Sequence, residues 1–146
     1  MDEIFVKFII IVILMEVIET ENVVKVRIGT VMLRDDKIIQ LNINDDVTLE
    51  VNDIIEFNKE INNFTRGKRH LILVITGDRN GNTNEARKLS MKLLKDENYA
   101  LAEALVVNSL STRLAAKFFF KVFKPKFPYK LFKSQIEAEN WLNNFL

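Results

Sequence analysis

Apolar positions along the chain switch between two-residue and helical spacing, and the switches delimit the elements. Residues 23–33 place Val24, Val26 and Ile28 on one side and Lys25 and Arg27 on the other, which predicts a half-buried strand. Gly29 within it predicts a bulge or bend. A polar turn at 34–37 leads to a second strand over 38–43, so the two form an antiparallel hairpin. Over 48–62, Val51, Ile54, Ile55 and Ile61 fall at helical spacing, with Asp46 or Thr48 placed to cap the first turn. Residues 71–75 read LILVI, a continuous branched run expected of a strand covered on both faces. A polar turn with Gly77 and Gly81 follows. The next helix, 83–95, buries Ala86, Leu89, Leu93 and Leu94, with Asn82 and Glu85 related as a capping box. A strand at 100–107 and a helix from Ser109 to Phe123 come next. Pro125 and Pro128 end that helix, because proline lacks the N–H and clashes with the preceding turn. Residues 129–132 form the last strand. Ser134 and Glu137 make a second capping box for a final helix that buries Ile136, Ala138, Trp141, Leu142 and Phe145.

The order ββαβαβαβα predicts a single α/β domain with a mixed sheet of four to five strands, parallel apart from the N-terminal hairpin, and helices packed on it. A length of 146 residues suits one domain with a proper core. That domain is expected over 16–146. Residues 4–15 are apolar apart from Lys7, yet a bilayer span needs about 20 such residues. They also lack the positive start and small-residue cleavage site of a signal peptide. Residues 1–15 therefore read as an extension: an over-extended start with Met15 as the natural first residue, a weak peripheral membrane anchor, or an element packed on the domain.

Composition removes several chemistries. The chain has no cysteine, which excludes disulfides, thiol nucleophiles and cysteine metal sites and suits a reducing cytoplasm. His70 is the only histidine. No carboxylate pair is placed for acid–base work and no G-x-S-x-G elbow occurs, so the expectation is a non-enzyme with neither cofactor nor metal. A net charge of +1 gives no reason to expect a nucleic-acid partner. The charge is unevenly distributed, however. Residues 35–60 carry eight acids against Lys37 and Lys59, whereas 104–135 carry no acid at all. Such asymmetry steers a partner or favours a homodimer.

Candidate sites follow from the topology. In parallel sheets, ligands meet the loops at the C-terminal strand ends. Those loops lead into helix N-termini, whose free N–H groups favour anions. The expected partner or ligand edge is Gly77, Asp78, Arg79, Asn80, Gly81 and Thr83, with Ser109 and Ser111 beside it. The two glycines permit close backbone approach, but GDRNGNT lacks the lysine of a P-loop. A second candidate is a basic–aromatic surface of Arg113, Lys117, Lys121, Lys124, Lys126 and Phe127. It would suit a small anionic or lipid-like ligand, or an anionic membrane. Phe118, Phe119 and Phe120 cannot all face inward on one helix. A third, weaker outline is a phosphoacceptor receiver pocket with Mg²⁺, using Asp35, Asp36, Asp78, Ser109 and Lys124. Connectivity opposes it, since a receiver needs helix, strand and helix between Asp36 and Leu71.

Three stretches give the chain a family likeness: LILVITG leading to NTNEARK, LAEALVVNS followed by TRLAAKFFFKVFKP, and the ending KLFKSQIEAENWL. Their order and spacing resemble small uncharacterised bacterial proteins with the STAS fold (sulfate transporter and anti-sigma-factor antagonist), also called SpoIIAA-like. The resemblance covers residues 16–146. It implies a regulatory, partner-binding role in place of catalysis. In anti-sigma-factor antagonists a D-S-[ST]-G turn carries a phosphorylatable serine at a helix start. The matching turn here is Asp78-Arg79-Asn80-Gly81, with Arg79 at the serine position, so the resemblance implies a module without the standard switch. Lipid-binding relatives of similar architecture make an apolar ligand a second expectation.

Overall fold

A computed structural model describes residues 2–146, the side chains of 15–21 excepted. The choice between Met1 and Met15 as first residue turns on Met1, which lies outside the described residues. In chain order the elements are α1 (Glu3–Glu21), β1 (Val23–Val26), β2 (Gly29–Leu33), β3 (Ile39–Ile43), β4 (Thr48–Leu49), α2 (Val51–Thr65), β5 (His70–Ile75), β6 (Gly81–Asn82), α3 (Asn84–Asp96), β7 (Ala100–Val106), α4 (Leu110–Val122), β8 (Tyr129–Phe132) and α5 (Gln135–Leu142). The main sheet has six strands in the order β1-β2-β3-β5-β7-β8. β1, β2 and β3 are antiparallel, and β3, β5, β7 and β8 are parallel. β4 and β6 form a small parallel pair of their own.

Six strands, where four to five were expected, arise because 23–33 is not one strand. It folds back at Arg27 and Ile28, and Val26 pairs with Gly29. Two contacts explain the reversal. A Cβ on Gly29 would lie 1.7 Å from the Asn42 carbonyl oxygen on β3, so only glycine allows β2 to start there. Arg27 leaves the strand pattern to reach Asp53, its Nε donating to Oδ1 at 2.9 Å and its Nη2 donating to the Thr48 carbonyl at 2.9 Å. Buried Asp53 also accepts from the Glu50 N–H at 2.8 Å. Glu50 therefore caps α2, in a capping box with Asp53, in place of the expected Asp46 or Thr48.

The other caps are side-chain oxygens. Thr83 accepts from the Ala86 N–H at 3.1 Å, so it, and not Asn82, opens α3. Ser134 accepts from the Glu137 N–H at 3.3 Å and opens α5 as expected. α5 buries Ala138 and Leu142, while Ile136 is 73% exposed and leaves the expected stripe.

The sheet is covered on both faces. α5 packs on one, against Leu71, Leu73, Ala102, Ala104 and Val106. The other carries Ile28, Val31, Leu41, Ile72 and Val74 and meets Phe57 and Ile61 of α2. Residues 4–14 of α1 are helical and exposed throughout, so they are not packed on the domain. Among the described residues, no helix is long and apolar enough to cross a membrane.

Candidate functional site

On the face opposite α5, a cavity of about 300 Å³ separates the sheet from α2, α3 and α4. Its floor is Leu41 and Ile43 of β3, Ile72 and Val74 of β5, and Leu105 of β7. Ile54 and Phe57 of α2, Leu93 and Leu94 of α3, and Phe119 and Phe120 of α4 close it from above. Thr76, Asn80, Asn82 and Thr112 line it as well, so it reaches the C-terminal strand ends. No lysine, arginine or histidine is among its lining residues.

Among the described residues, one carboxyl group sits in this mostly apolar space. Glu103 lies on β7, 7% exposed, and pairs in register with Tyr129 of β8. The alternation of the strand puts its neighbours Ala102 and Ala104 under α5 and turns Glu103 to the cavity. The Tyr99 hydroxyl donates to Glu103 Oε2 at 2.9 Å. Burial disfavours the charged form and pushes the carboxyl up to about 7; the tyrosine hydrogen bond offsets part of that rise. Burial, reinforced by the Glu103 charge, likewise pushes the Tyr99 and Tyr129 hydroxyls far above the usual phenol range. Near neutral pH, then, Glu103 is divided between a neutral acid that can donate and a carboxylate that only accepts. No sequence motif marks it. The legible signal was a lone acid inside an apolar strand.

The turn at the cavity's end is pinned to the loop after β3. Gly77 N–H donates to Asn80 Oδ1 at 2.8 Å, and Asn80 Nδ2 donates to the Asn44 carbonyl at 2.8 Å. Asp78 N–H donates to Asp45 Oδ1 at 2.7 Å. Arg79, at φ 54°, grips Asp46 with both Nε and Nη2, the latter at 2.9 Å. That hydrogen bond holds the Asp46 carboxyl below, and the Arg79 guanidinium above, their ordinary values. A Cβ on Gly77 would lie 2.6 Å from the Asn44 carbonyl, so this glycine serves the loop contact and not a ligand's approach. Gly81 has 3.7 Å of clearance and needs no special freedom. Ser109 caps α4, with its Oγ 2.9 Å from that of Ser111, and both are exposed.

The expected basic–aromatic surface is divided. Arg113, Lys117, Lys121 and Lys124 lie outside the cavity, and Lys126 donates to the Asp96 carbonyl at 3.0 Å. Phe127 is buried and meets the Tyr99 ring edge-on at 4.9 Å; it belongs to the core, not the surface. The proline loop carries it inward. An anionic head in the cavity would face Glu103 with no cation among the lining residues, so the anionic part of the ligand expectation does not fit this space. The receiver outline fails on topology. Asp35 and Asp36 precede β3, while Asp78 and Ser109 follow the parallel strands β5 and β7, at the opposite end of the sheet.

A mixed sheet in this strand order, with helices on both faces, defines a single α/β domain. A crystal structure of an uncharacterised DUF3478-family protein from Shewanella loihica PV-4, described as having a SpoIIAA-like fold, superposes with a TM-score of 0.57. It is 18% identical and the match covers 79% of this chain and 91% of that one, which establishes the fold alone. A protein of unknown function from Arthrobacter sp. FB24 matches over 82% of this chain and 95% of its own at 24% identity, but its TM-score of 0.28 carries no argument. No curated protein matches the chain. The family model for DUF7793, a domain of unknown function, matches residues 31–146, and the chain belongs to that family.

Proposed function

We propose that the protein is a non-enzymatic, SpoIIAA-like regulatory module that binds a small, largely apolar ligand in the cavity beneath α2, α3 and α4. The observation that carries this reading is the buried Glu103 in a mostly apolar space of about 300 Å³, the lower end of ligand-pocket sizes, whose other polar lining groups are the uncharged Asn58, Thr76, Asn80, Asn82, Ser90 and Thr112 and the Tyr99 and Tyr129 hydroxyls. Glu103 orients a head group that is neutral or cationic, because among the described lining residues no cation balances an anionic one buried beside it. The same lining argues for binding over catalysis. Among the described residues it holds one carboxyl and no histidine, lysine or second carboxylate to complete a proton relay. The module is cytoplasmic in this reading.

Octylamine, octanol and octanoate test it, since they share a tail and differ in head. Thermal shifts should rank the amine at or above the alcohol and the alcohol above the carboxylate, and Glu103→Gln should flatten the ranking. Stabilisation by octanoate above the others, or by none of the three, overturns the reading.

A second reading concerns the rim. The turn at 77–83 exposes Asp78, Arg79 and Asn82 and is pinned through its backbone, and Ser109 and Ser111 are exposed after the neighbouring strand β7; this supports recognition by a protein partner, without the serine switch of anti-sigma-factor antagonists. Arg79 is the residue to probe, because its ion pair with Asp46 is exposed and such pairs add little to stability. Asn80 is unsuitable, as its amide ties two backbone groups. Pull-downs with Arg79→Ala should lose partners that the wild type retains; an unchanged set removes this edge from consideration.

A further inference from the structure

Helix α4 presents different chemistry on its two sides. Phe119 and Phe120 line the cavity. On the outside, Leu110, Leu114, Phe118 and Val122 succeed one another at four-residue spacing and are 64%, 58%, 73% and 61% exposed. Residues four apart share a helix face, so these make one continuous apolar stripe. Arg113, Lys117 and Lys121 run alongside at the same spacing. None of the three cations is in a salt bridge among the described residues, and no acid occurs from 104 to 135.

We propose that this face of α4 docks on an anionic lipid bilayer. The helix lies in the interface, with the stripe at the acyl boundary and the cations against headgroup phosphates. Charge selects this occupant. A symmetric pair of α4 helices would set the same cations against each other. An apolar partner groove would leave the cationic row without counter-charge. The N-terminal helix points the same way. Residues 4–14 of α1 are exposed and, apart from Lys7, apolar all round, which leaves no polar face for one-sided packing on a protein. The docking face goes beyond the cavity reading and is independent of any ligand inside.

Co-sedimentation of the full chain with phosphatidylglycerol-rich and pure phosphatidylcholine vesicles tests the proposal. The wild type should partition to the anionic vesicles only, and less so at high salt. Each cation near an anionic surface contributes about fivefold. Lys117→Glu with Lys121→Glu should therefore weaken partition at least about 25-fold. Leu114→Glu with Phe118→Glu should abolish it while circular dichroism and Tm stay unchanged, because both positions are exposed. Phe8→Glu with Ile10→Glu reports on α1 separately. Failure of the wild type to bind anionic vesicles overturns the proposal. So does binding lost only in the α1 variant, with both α4 variants sedimenting like wild type. A dimer that the α4 variants dissolve, in a protein that ignores vesicles, also overturns it and assigns the stripe to a second copy.

Discussion

Replacing Glu103 with glutamine should make the protein more stable at alkaline pH and remove one particular slope from its stability profile. In the folded chain burial raises the Glu103 carboxyl from its ordinary 4.5 to about 7. Below pH 4.5 the group is protonated in both states and contributes no pH dependence. Between 4.5 and 7 the unfolded chain releases the proton first and the folded chain keeps it. Folded protein then binds more protons than unfolded, and stability falls as pH rises. Above about 7 the loss is complete. Each tenfold change in proton affinity is worth about 1.4 kcal/mol, so the total is on the order of 3 kcal/mol. Glutamine keeps the shape without the titration. Urea unfolding of both proteins from pH 4.5 to 8.5 gives the difference curve, in which carboxylates shifted the other way, such as Asp53 and Asp46, cancel. The difference should grow in favour of the variant by roughly 3 kcal/mol and level off near pH 8. A flat difference would mean that water reaches the carboxyl and the cavity is not a low-dielectric space, and the reasoning on ligand charge would fall with it.

Tyr99→Phe removes the hydrogen bond that lowers the Glu103 carboxyl, so the midpoint of the same profile should move to higher pH, with a loss of about 1–3 kcal/mol above it. Glycine-to-alanine changes should sort by clearance: Gly29→Ala and Gly77→Ala destabilise by at least about 2 kcal/mol, while Gly81→Ala stays within about 0.5 kcal/mol, as chemical denaturation would record. Asp53→Ala should reduce stability by about 2 kcal/mol by leaving the Glu50 N–H at the α2 N-cap unpaired and releasing Arg27. Its effect should shrink on acidification, since the Arg27 hydrogen bond lowers the Asp53 carboxyl and that stability is lost as pH falls through its folded value. Arg79→Ala should leave Tm nearly unchanged.

The fold was largely legible because its elements have uniform chemistry. The run at 71–75 is apolar on both faces, and the structure buries it between α5 and the cavity face. The caps Ser109 and Ser134 are hydroxyls at breaks in apolar spacing, and both close a helix start. The misread boundaries share one cause: a long-range contact overrode a local signal. Residues 23–33 alternate as one strand should, but the Asn42 carbonyl and Asp53 lie far away in sequence and turn the chain at Arg27. Thr48 and Leu49 look like the first turn of a helix, but pairing with Gly81 and Asn82 holds them extended. Single-chain spacing carries no information about which distant backbone will offer the hydrogen bonds.

Of the cavity, the end at the strand termini was legible in the sequence and the buried carboxyl was not. Strand order located the C-terminal ends of β3, β5 and β7, and the polar turn at 77–83 does lie there. Yet the Asp78 N–H, the Arg79 guanidinium and the Asn80 amide are spent on the loop at 44–46. Glycine and asparagine content signals a turn whether the turn serves a ligand or another loop, so composition could not separate the two. Glu103 left a different trace. In the strand at 100–107 it is the sole charged residue, between two alanines, in a stretch too apolar to be solvated on either face. An acid there needs a partner or a reason to be neutral. Tyr99 supplies the first and the cavity the second, and neither contact is visible until α4 and the proline loop have folded over β7 and β8. A lone acid in a two-sided strand is thus the signal to weigh against a glycine-rich turn. A turn can satisfy itself locally, whereas a buried carboxyl obliges the fold to build an environment around it.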